Sequence, residues 1–573
     1  MRAKKLFAPH ENRPYRQHMP PFLDQIAKAR PSKKDLKTRH WIYLPYDRLT
    51  DRTGPLHTTP PSQAGLILVE SAAKGHRREY HKKKIALLLA NERHFALEQA
   101  ARGVAVLYAT EKGTHGDGLL KLQAEFDLPS ITCMQPAERE LRVDLAAARA
   151  KGLRLNEVED TTWLSTEADF DTTFKLKKVK DVRYELPRAF LMDRFYRSMR
   201  KKTGILMKHG EPVGESFSFD ADNRQTYKGQ VPVPARPSYP PDAITQEVLA
   251  LVEREYPHTF GTLDGFDFPV TASDCQAFWK FALSKLLPTF GPYEDAMRDD
   301  ELDLFHSKTS ALVNLSRILP SDLVDDTAAA YAAGKIPLSS AEGFIRQVIG
   351  WREFMRHIHR VTDGYRHLPS ANPVFIEKKK SETGASPSAL HAVRPLPAAY
   401  WGAKSGLRCL DTVVDQVIHE GWSHHITRLM VLSNLATLCG YSPRELTDWF
   451  WFAYVDAYDW VVEPNVLGMS TYGDGGLTAT KPYVSGAAYI NRMSNYCGHC
   501  QYDPKKSTGP GSCPFTALYW AFLERNEDIL GKNIRLAMPY NTLRKKSAAE
   551  RKALRERADE AIQSLAAQPH PEY

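Results

Sequence analysis

Seven cysteines are spread over 573 residues, and three of them stand close together. Cys497-Gly498-His499-Cys500 is followed by twelve residues and then by Cys513-Pro514, while Cys409 lies well upstream. This spacing lets three thiolates converge on one metal centre from a turn and a short loop. Soft thiolates suit tetrahedral zinc or an iron–sulfur cluster, so the spacing leaves the metal open, with His499 competing for the fourth place if the metal is zinc. An odd cysteine count grouped this way is no disulfide framework and points to a reducing, cytoplasmic compartment.

The rest of the composition sets bounds. A chain of this length implies two or more domains. Hydrophobic content of 42% with 25% charged residues is ordinary for a globular protein, and no apolar run is long enough for a transmembrane helix. The net charge of +9 sits mostly in residues 1–40, where eleven Lys or Arg face Glu11, Asp24 and Asp35. That Pro-rich head reads as a flexible basic arm, and the body is close to neutral.

The elements that must position these residues fall into two halves. Between residues 41 and 160, short β-rich runs (Trp41–Leu44, Gly65–Glu70, Val104–Tyr108, Ser130–Cys133) alternate with helical stretches at Lys83–Gly103 and Glu138–Lys151. Such alternation predicts a parallel sheet with right-handed crossovers, without the Gly-x-Gly-x-x-Gly of an ordinary dinucleotide site. Residues 161–241 are polar and end in the proline-laden Val231–Pro241, read as an interdomain linker. From 242 to 540 the pattern is helical, with helices predicted at Ala243–Glu255, Cys275–Leu287, Ala341–His359, Leu410–Ile418, Ser423–Cys439, Ser442–Ala457 and Ser512–Asn526. Residues 541–573 read as a solvent-facing helix and tail.

Several motifs in the helical half resemble those of the photolyase and cryptochrome family. They are Gly350-Trp351-Arg352-Glu353-Phe354, His424-His425-Ile426-Thr427-Arg428 with Ser433-Asn434, Asp456-Ala457-Tyr458-Asp459, Glu463-Pro464-Asn465, Gly468-Met469-Ser470, Lys481-Pro482-Tyr483 and Tyr489-Ile490-Asn491-Arg492-Met493. The combination is similar to the iron–sulfur bacterial, (6-4) photolyase-like branch and runs from about Trp41 to Pro539. The resemblance implies an α/β plus all-α architecture: a Rossmann-like antenna domain, a linker and a helical FAD-binding domain. It also implies a [4Fe–4S] cluster on Cys409, Cys497, Cys500 and Cys513, with Cys133, Cys275 and Cys439 left to packing.

The resemblance further assigns FAD to His306, Ser307, Thr309, Ser310, Asn314, Gln347, Arg352, Asp456, Asp459 and Asn465, with Glu353 close by. The run from His306 to Ser310 precedes an apolar helix, where free backbone N–H groups favour an anion, although the same letters would serve as helix capping. Ala311 stands where the family usually has proline. Asn465 is expected beside the flavin ring, where an amide sets how readily the ring is reduced. For electron supply the candidates are Trp449, Phe450, Trp451, Trp460 and Trp401. Trp449 and Trp401 match redox positions, and Phe450 replaces an oxidisable tyrosine, which shifts the expected route to Trp451. In the α/β half, Tyr46, Asp47 and Arg48 depart from the family's Gly-Asp-Gln, and Asp47 and Glu70 are the expected contacts of a 6,7-dimethyl-8-ribityllumazine antenna.

The implied activity is light-driven reversal of (6-4) photoproducts in UV-damaged DNA by a monomeric enzyme. His424 or His425 would be the proton donor, with Tyr483 beside it, because a histidine gives and retakes a proton near neutrality. The rival is a cryptochrome-like photoreceptor with the same cofactors and no repair. A third reading is a zinc-stabilised nucleic-acid-binding protein without a flavin.

Overall fold

The computed structural model describes residues 22–179, 183–368 and 384–571. Most of the basic arm, residues 1–21, lies outside them. The described remainder of the arm is folded: the short helices Phe22–Ala27 and Lys33–Thr38 follow one another, and Phe22 is buried edge-on against Tyr108, 4.7 Å between ring centroids.

Five parallel strands form the sheet of the N-terminal half: β1 (His40–Tyr43), β2 (Ala64–Ser71), β3 (Ala105–Glu111), β4 (Ile131–Met134) and β5 (Leu155–Val158), in the order β3-β2-β1-β4-β5. This is a doubly wound order, reversing at β1. β2 is a continuous apolar run because helices cover both faces. Gly65, paired with Trp41 across β1 and β2, has no side chain for a reason: a Cβ there would meet the Trp41 ring at 2.6 Å. The fifth strand and the helix His115–Phe126 went unread in the sequence. The latter starts on a Thr114–Asp117 capping box, a signal that was present.

Helix Lys82–Ala101 is buried on nearly all sides, including Lys83, Lys84, Asn91, Glu92 and Arg93. It lies between the sheet and the helical half, so its charges need internal partners. Lys84 Nζ donates to the carbonyls of Trp451 and Ala457 at 2.7 and 2.6 Å, and Arg93 grips Glu70 at 2.7 Å.

The segment read as a linker is largely structured. Helices Glu167–Phe174 and Met192–Thr203 send Phe170 and Phe195 into the same core as Phe354, and only the proline-rich stretch before Asp242 is extended. Three helices read as continuous are interrupted by wider π-type turns, at Ala282–Leu286, Arg346–Arg352 and Arg428–Ser433, and a fourth such turn spans Glu463–Ser470. π-Turns collect at functional sites because the extra residue re-aims side chains. At the C-terminus, the helix expected within residues 541–573 is Ala548–Ala566, capped by Ser547, but it is not simply solvent-facing: Leu554, Ala558, Ile562 and Leu565 pack into the core of the helical half.

Candidate functional site

Three of the four π-type turns converge on one cavity of about 340 Å³ in the helical half. Gln347 and Arg352 reach it from the first, Arg428 from the second and Asn465 from the third, joined by the run from His306 to Ser310, Asn314, His424, His425, Asp456 and Trp460. Nine of the ten residues expected around a flavin therefore share one wall system. The tenth, Asp459, does not. It accepts the backbone N–H of Arg139 at 2.6 Å and of Glu140 at 3.3 Å, fixing the start of helix Arg139–Ala150 against the helical half. A carboxylate at a helix N-terminus is favoured by the exposed N–H groups, which explains its capture. Glu353 is also outside the cavity, taken by the backbone N–H and hydroxyl of Ser165 at 2.9 and 2.5 Å.

Asp456 organises the polar side. Its carboxylate receives both Arg428 guanidinium nitrogens at 3.0 and 2.9 Å and the Ser310 hydroxyl at 2.6 Å, while Asn314 donates to its carbonyl at 2.8 Å. Burial pushes the Asp456 carboxyl up, but Arg428 outweighs it and the group stays below the usual carboxylate range. Arg352 stacks over Trp163 and Trp460, 4.1 and 5.2 Å from the ring centroids. Asn465 lines the cavity, and its amide nitrogen is anchored by donating to the Val461 carbonyl at 2.8 Å.

The opposite side is a histidine cluster. His306 lies parallel to His424 with centroids 4.3 Å apart, and His425 meets His306 edge-on at 5.3 Å. One nitrogen from each falls within 4.8 Å of the others. His306 Nε2 and both nitrogens of His424 are buried without a hydrogen-bond partner among the described residues, as is Trp460 Nε1. Burial lowers all three histidines, His424 to about 3 and His425 to about 4; His424 and His425 depress His306 further, and His425 depresses His424. His425 is the exposed member of the cluster and faces the cavity, while protein packs densely around its other sides. Asp295 favours its charged form from one side, and Tyr489 donates to Asp295 at 3.1 Å. Tyr483 does not line the cavity; burial raises its hydroxyl above the ordinary value.

Among the aromatic candidates, Phe450 forms part of the cavity wall and Trp449 stands behind it, ring centroids 5.2 Å apart. The Trp449 indole N–H donates to Tyr400 at 2.9 Å, its ring meets Tyr400 at 5.3 Å, and Trp401 is next in the chain toward the half-exposed surface. Trp451 points elsewhere. It walls a separate cavity of about 60 Å³ at the sheet edge and carries the Arg78 guanidinium 3.7 Å above its ring. A cation on the ring face disfavours the oxidised indole, so the geometry speaks against a detour through Trp451.

The smaller cavity is lined by Tyr46, Glu70, Lys74, Tyr80, Lys84, Glu92, Glu138 and Tyr458 among others, and Asp47 is absent from it. Asp47 is instead buried beside Arg48, 3.0 Å away, which also holds Asp160 at 2.6 Å. Glu92 was missed in the sequence, where a charged helical residue reads as solvent-facing. Both its carboxylate oxygens are buried with no side-chain partner among the described residues, and burial with Glu70 nearby pushes its pKa up to about 8.

Cys409, Cys497, Cys500 and Cys513 line one small recess between helix Arg408–Glu420 and the turn before Pro514. His499 is turned away: its Nδ1 meets Asp299 at 2.9 Å. Burial and the neighbouring thiols push Cys497 up to about 12, and burial pushes Cys513 up to about 11. Four crowded thiols need a cation to become ligands, and a metal inverts this local penalty.

A cryptochrome from Synechocystis sp. PCC6803 superposes over 92% of this chain and 99% of its own at a TM-score of 0.53, with 14% identity, and so shares the fold. A bacterial class III photolyase from Agrobacterium tumefaciens aligns over 92% of this chain and 96% of its own, at a TM-score of 0.49 and 14% identity. Residues 42–268 match the family described as deoxyribodipyrimidine photo-lyase-related protein. A protein named (6-4) photolyase from Agrobacterium fabrum is 36% identical over 525 residues, 91% of this chain and 98% of the relative. The shared residues extend through both halves, and the chain thus belongs to the photolyase and cryptochrome family, in its deoxyribodipyrimidine photo-lyase-related branch.

Proposed function

We propose that this protein is a light-driven DNA repair lyase that reverts pyrimidine (6-4) pyrimidone photoproducts. The name of the Agrobacterium fabrum relative supports the substrate, and one observation supports the chemistry: a cavity with a histidine cluster on one wall and a fixed polar set on the other. The family implies a flavin. The residues fit one: Ser307, Thr309 and Ser310 offer hydroxyls, Asp456 and Arg428 a fixed charge pair, Asn465 an amide, and Trp460 an unsatisfied indole N–H. When bound as FAD, reduced and excited by light, it supplies one electron to the lesion.

The protein's own part is to exclude water, hold the lesion and move a proton. His425, open to the cavity and flanked by Asp295, is the proton donor to the exocyclic group that must return to its original base. It rests neutral, so the negative charge arriving with the DNA raises its affinity for a proton at the moment of need. His424 and His306, stacked behind it, resist a second charge.

Two further groups are part of this reading. The four cysteines hold a [4Fe–4S] cluster in a closed structural site. The cavity at the sheet edge takes a lumazine-type antenna, with Glu70 and the buried Glu92 as its polar contacts in place of Asp47.

The reading is tested by illuminating reduced protein with an oligonucleotide carrying a single (6-4) lesion. Restored thymines should form in blue light and not in darkness. Full flavin photoreduction with no restored thymines would favour the photoreceptor reading instead.

A further inference from the structure

The half-buried ring of Trp401, the outermost member of the electron route traced above, is covered by the segment that follows helix Ala548–Ala566. His570 meets Trp401 edge-on, with centroids 5.1 Å apart and planes at 67°. Trp401 also packs against Phe452, at 6.4 Å.

The cover stands on a fixed base. Leu554, Ala558, Ile562 and Leu565 seat the helix in the core, and Arg557 ties it to Ser512 at 2.9 and 3.1 Å. Beyond Leu565 no described residue is buried, so packing does not explain why the segment lies on Trp401. It is fastened by Gln568, whose Nε2 donates at 2.9 Å to the carbonyl of Lys404, close after Trp401 in the chain. Lys404 is itself held by Asp415 at 2.6 Å. Pro569 and Pro571 then flank His570. A proline fixes its own φ and keeps the residue before it extended, so Gln568 and His570 are both restricted. The imidazole is therefore carried to the indole on a stiff backbone.

An electron that leaves Trp401 inward must be replaced by a one-electron donor from solution. With a thiolate, the sulfur loses one electron and becomes a thiyl radical, while the indole radical cation gains it and returns to indole. The donor must come close to the ring, and His570 stands in that approach. We propose that His570, held by Gln568 and the flanking prolines, selects the electron donor by size: small donors reach Trp401 and bulky ones are kept at a distance. Discrimination by steric exclusion needs no contact with the accepted donor. The inference rests on the electron route through Trp449 and Trp401.

The test uses the complete, flavin-loaded protein and two thiols of different bulk, 2-mercaptoethanol and glutathione, at equal thiolate concentration. Wild-type flavin photoreduction in blue light should be faster with 2-mercaptoethanol. His570→Ala, and a chain ending at Ala567, should speed the reaction with glutathione severalfold and that with 2-mercaptoethanol little, so that the two donors converge. His570→Phe keeps a flat ring without the imidazole nitrogens and should behave like the wild type. Independently of light and flavin, hydroxyl-radical oxidation of Trp401, read by peptide mass spectrometry, should rise severalfold in His570→Ala and return to the wild-type level in His570→Phe. A His570→Ala variant with the wild-type preference between thiols, or with slower reduction by both, overturns the proposal, as does unchanged oxidation of Trp401. A His570→Phe variant that behaves like His570→Ala overturns it too, because the imidazole's chemistry and not its bulk would then be acting. Photoreduction of Trp401→Phe at the wild-type rate would overturn the electron route and donor selection with it, while the oxidation of Trp401 would still report the cover.

Discussion

The imidazole of His306 lies flat on that of His424, with centroids 4.3 Å apart and planes within 7°. Two such rings cannot both be charged without strong repulsion, and both are buried with unpartnered nitrogens. The pair is therefore a neutral wall, and the proton used in repair is carried by His425, which faces the open volume and has Asp295 beside it.

This wall makes stability depend on pH. His424 is lowered to about 3 and His306 lies well below its ordinary value, so both folded values are under the unfolded value of about 6.5. As pH falls below about 6.5 the unfolded chain takes up protons that the folded chain refuses, and stability is lost by about 1.4 kcal/mol per unit for each group. Urea midpoints at pH 7 and pH 5.5 should show this decline, and His424→Gln should reduce its slope. A variant with the wild-type slope would mean that the ring is charged in the folded protein.

Electron supply should follow the wall behind Phe450. Trp449→Phe is expected to abolish flavin photoreduction by external reductant, since Trp449 packs directly on Phe450 and leads on to Tyr400 and Trp401. Trp451→Phe should leave it within about twofold, because Arg78 sits on that ring and the cavity it faces is the smaller one. Phe450→Tyr should accelerate it by restoring an oxidisable group at the cavity. Photoreduction rates under continuous blue light decide among these, and a slow Trp451 variant would reinstate the alternative route.

The four-cysteine recess should hold iron. Cys500→Ser is expected to lower the yield of folded protein, because losing a ligand removes folding free energy. His499→Ala, at a side chain that bonds Asp299 and does not line the recess, should leave iron and acid-labile sulfide unchanged under anaerobic purification. Stoichiometric zinc without sulfide in the wild type would contradict the cluster.

Much of this site was legible in the sequence, because its chemistry sits in contiguous motifs. Cys497, Cys500 and Cys513 announce themselves by spacing, and His424-His425 and the run from His306 to Ser310 by residue type. Asp459 and Glu353 were placed wrongly for a shared reason: each adjoins a true cavity residue in sequence, but its side chain points to a helix start or to Ser165. The π-type turns were illegible, since a single extra residue per turn leaves apolar periodicity almost intact. Glu92 and Lys84 were invisible as buried groups because helix Lys82–Ala101 is covered on nearly every side, which hydrophobic patterning cannot anticipate when charges are paired internally.

The most direct measurement separates proton transfer from electron supply at His425. Wild type, His424→Ala and His425→Ala are illuminated with a (6-4)-containing oligonucleotide, restored thymines are followed by chromatography, and flavin content and photoreduction are recorded on the same samples. The account predicts that His425→Ala loses repair by at least about a hundredfold, the scale of a general acid, while binding and photoreducing its flavin like the wild type. Equal repair by the wild type and both variants would contradict it.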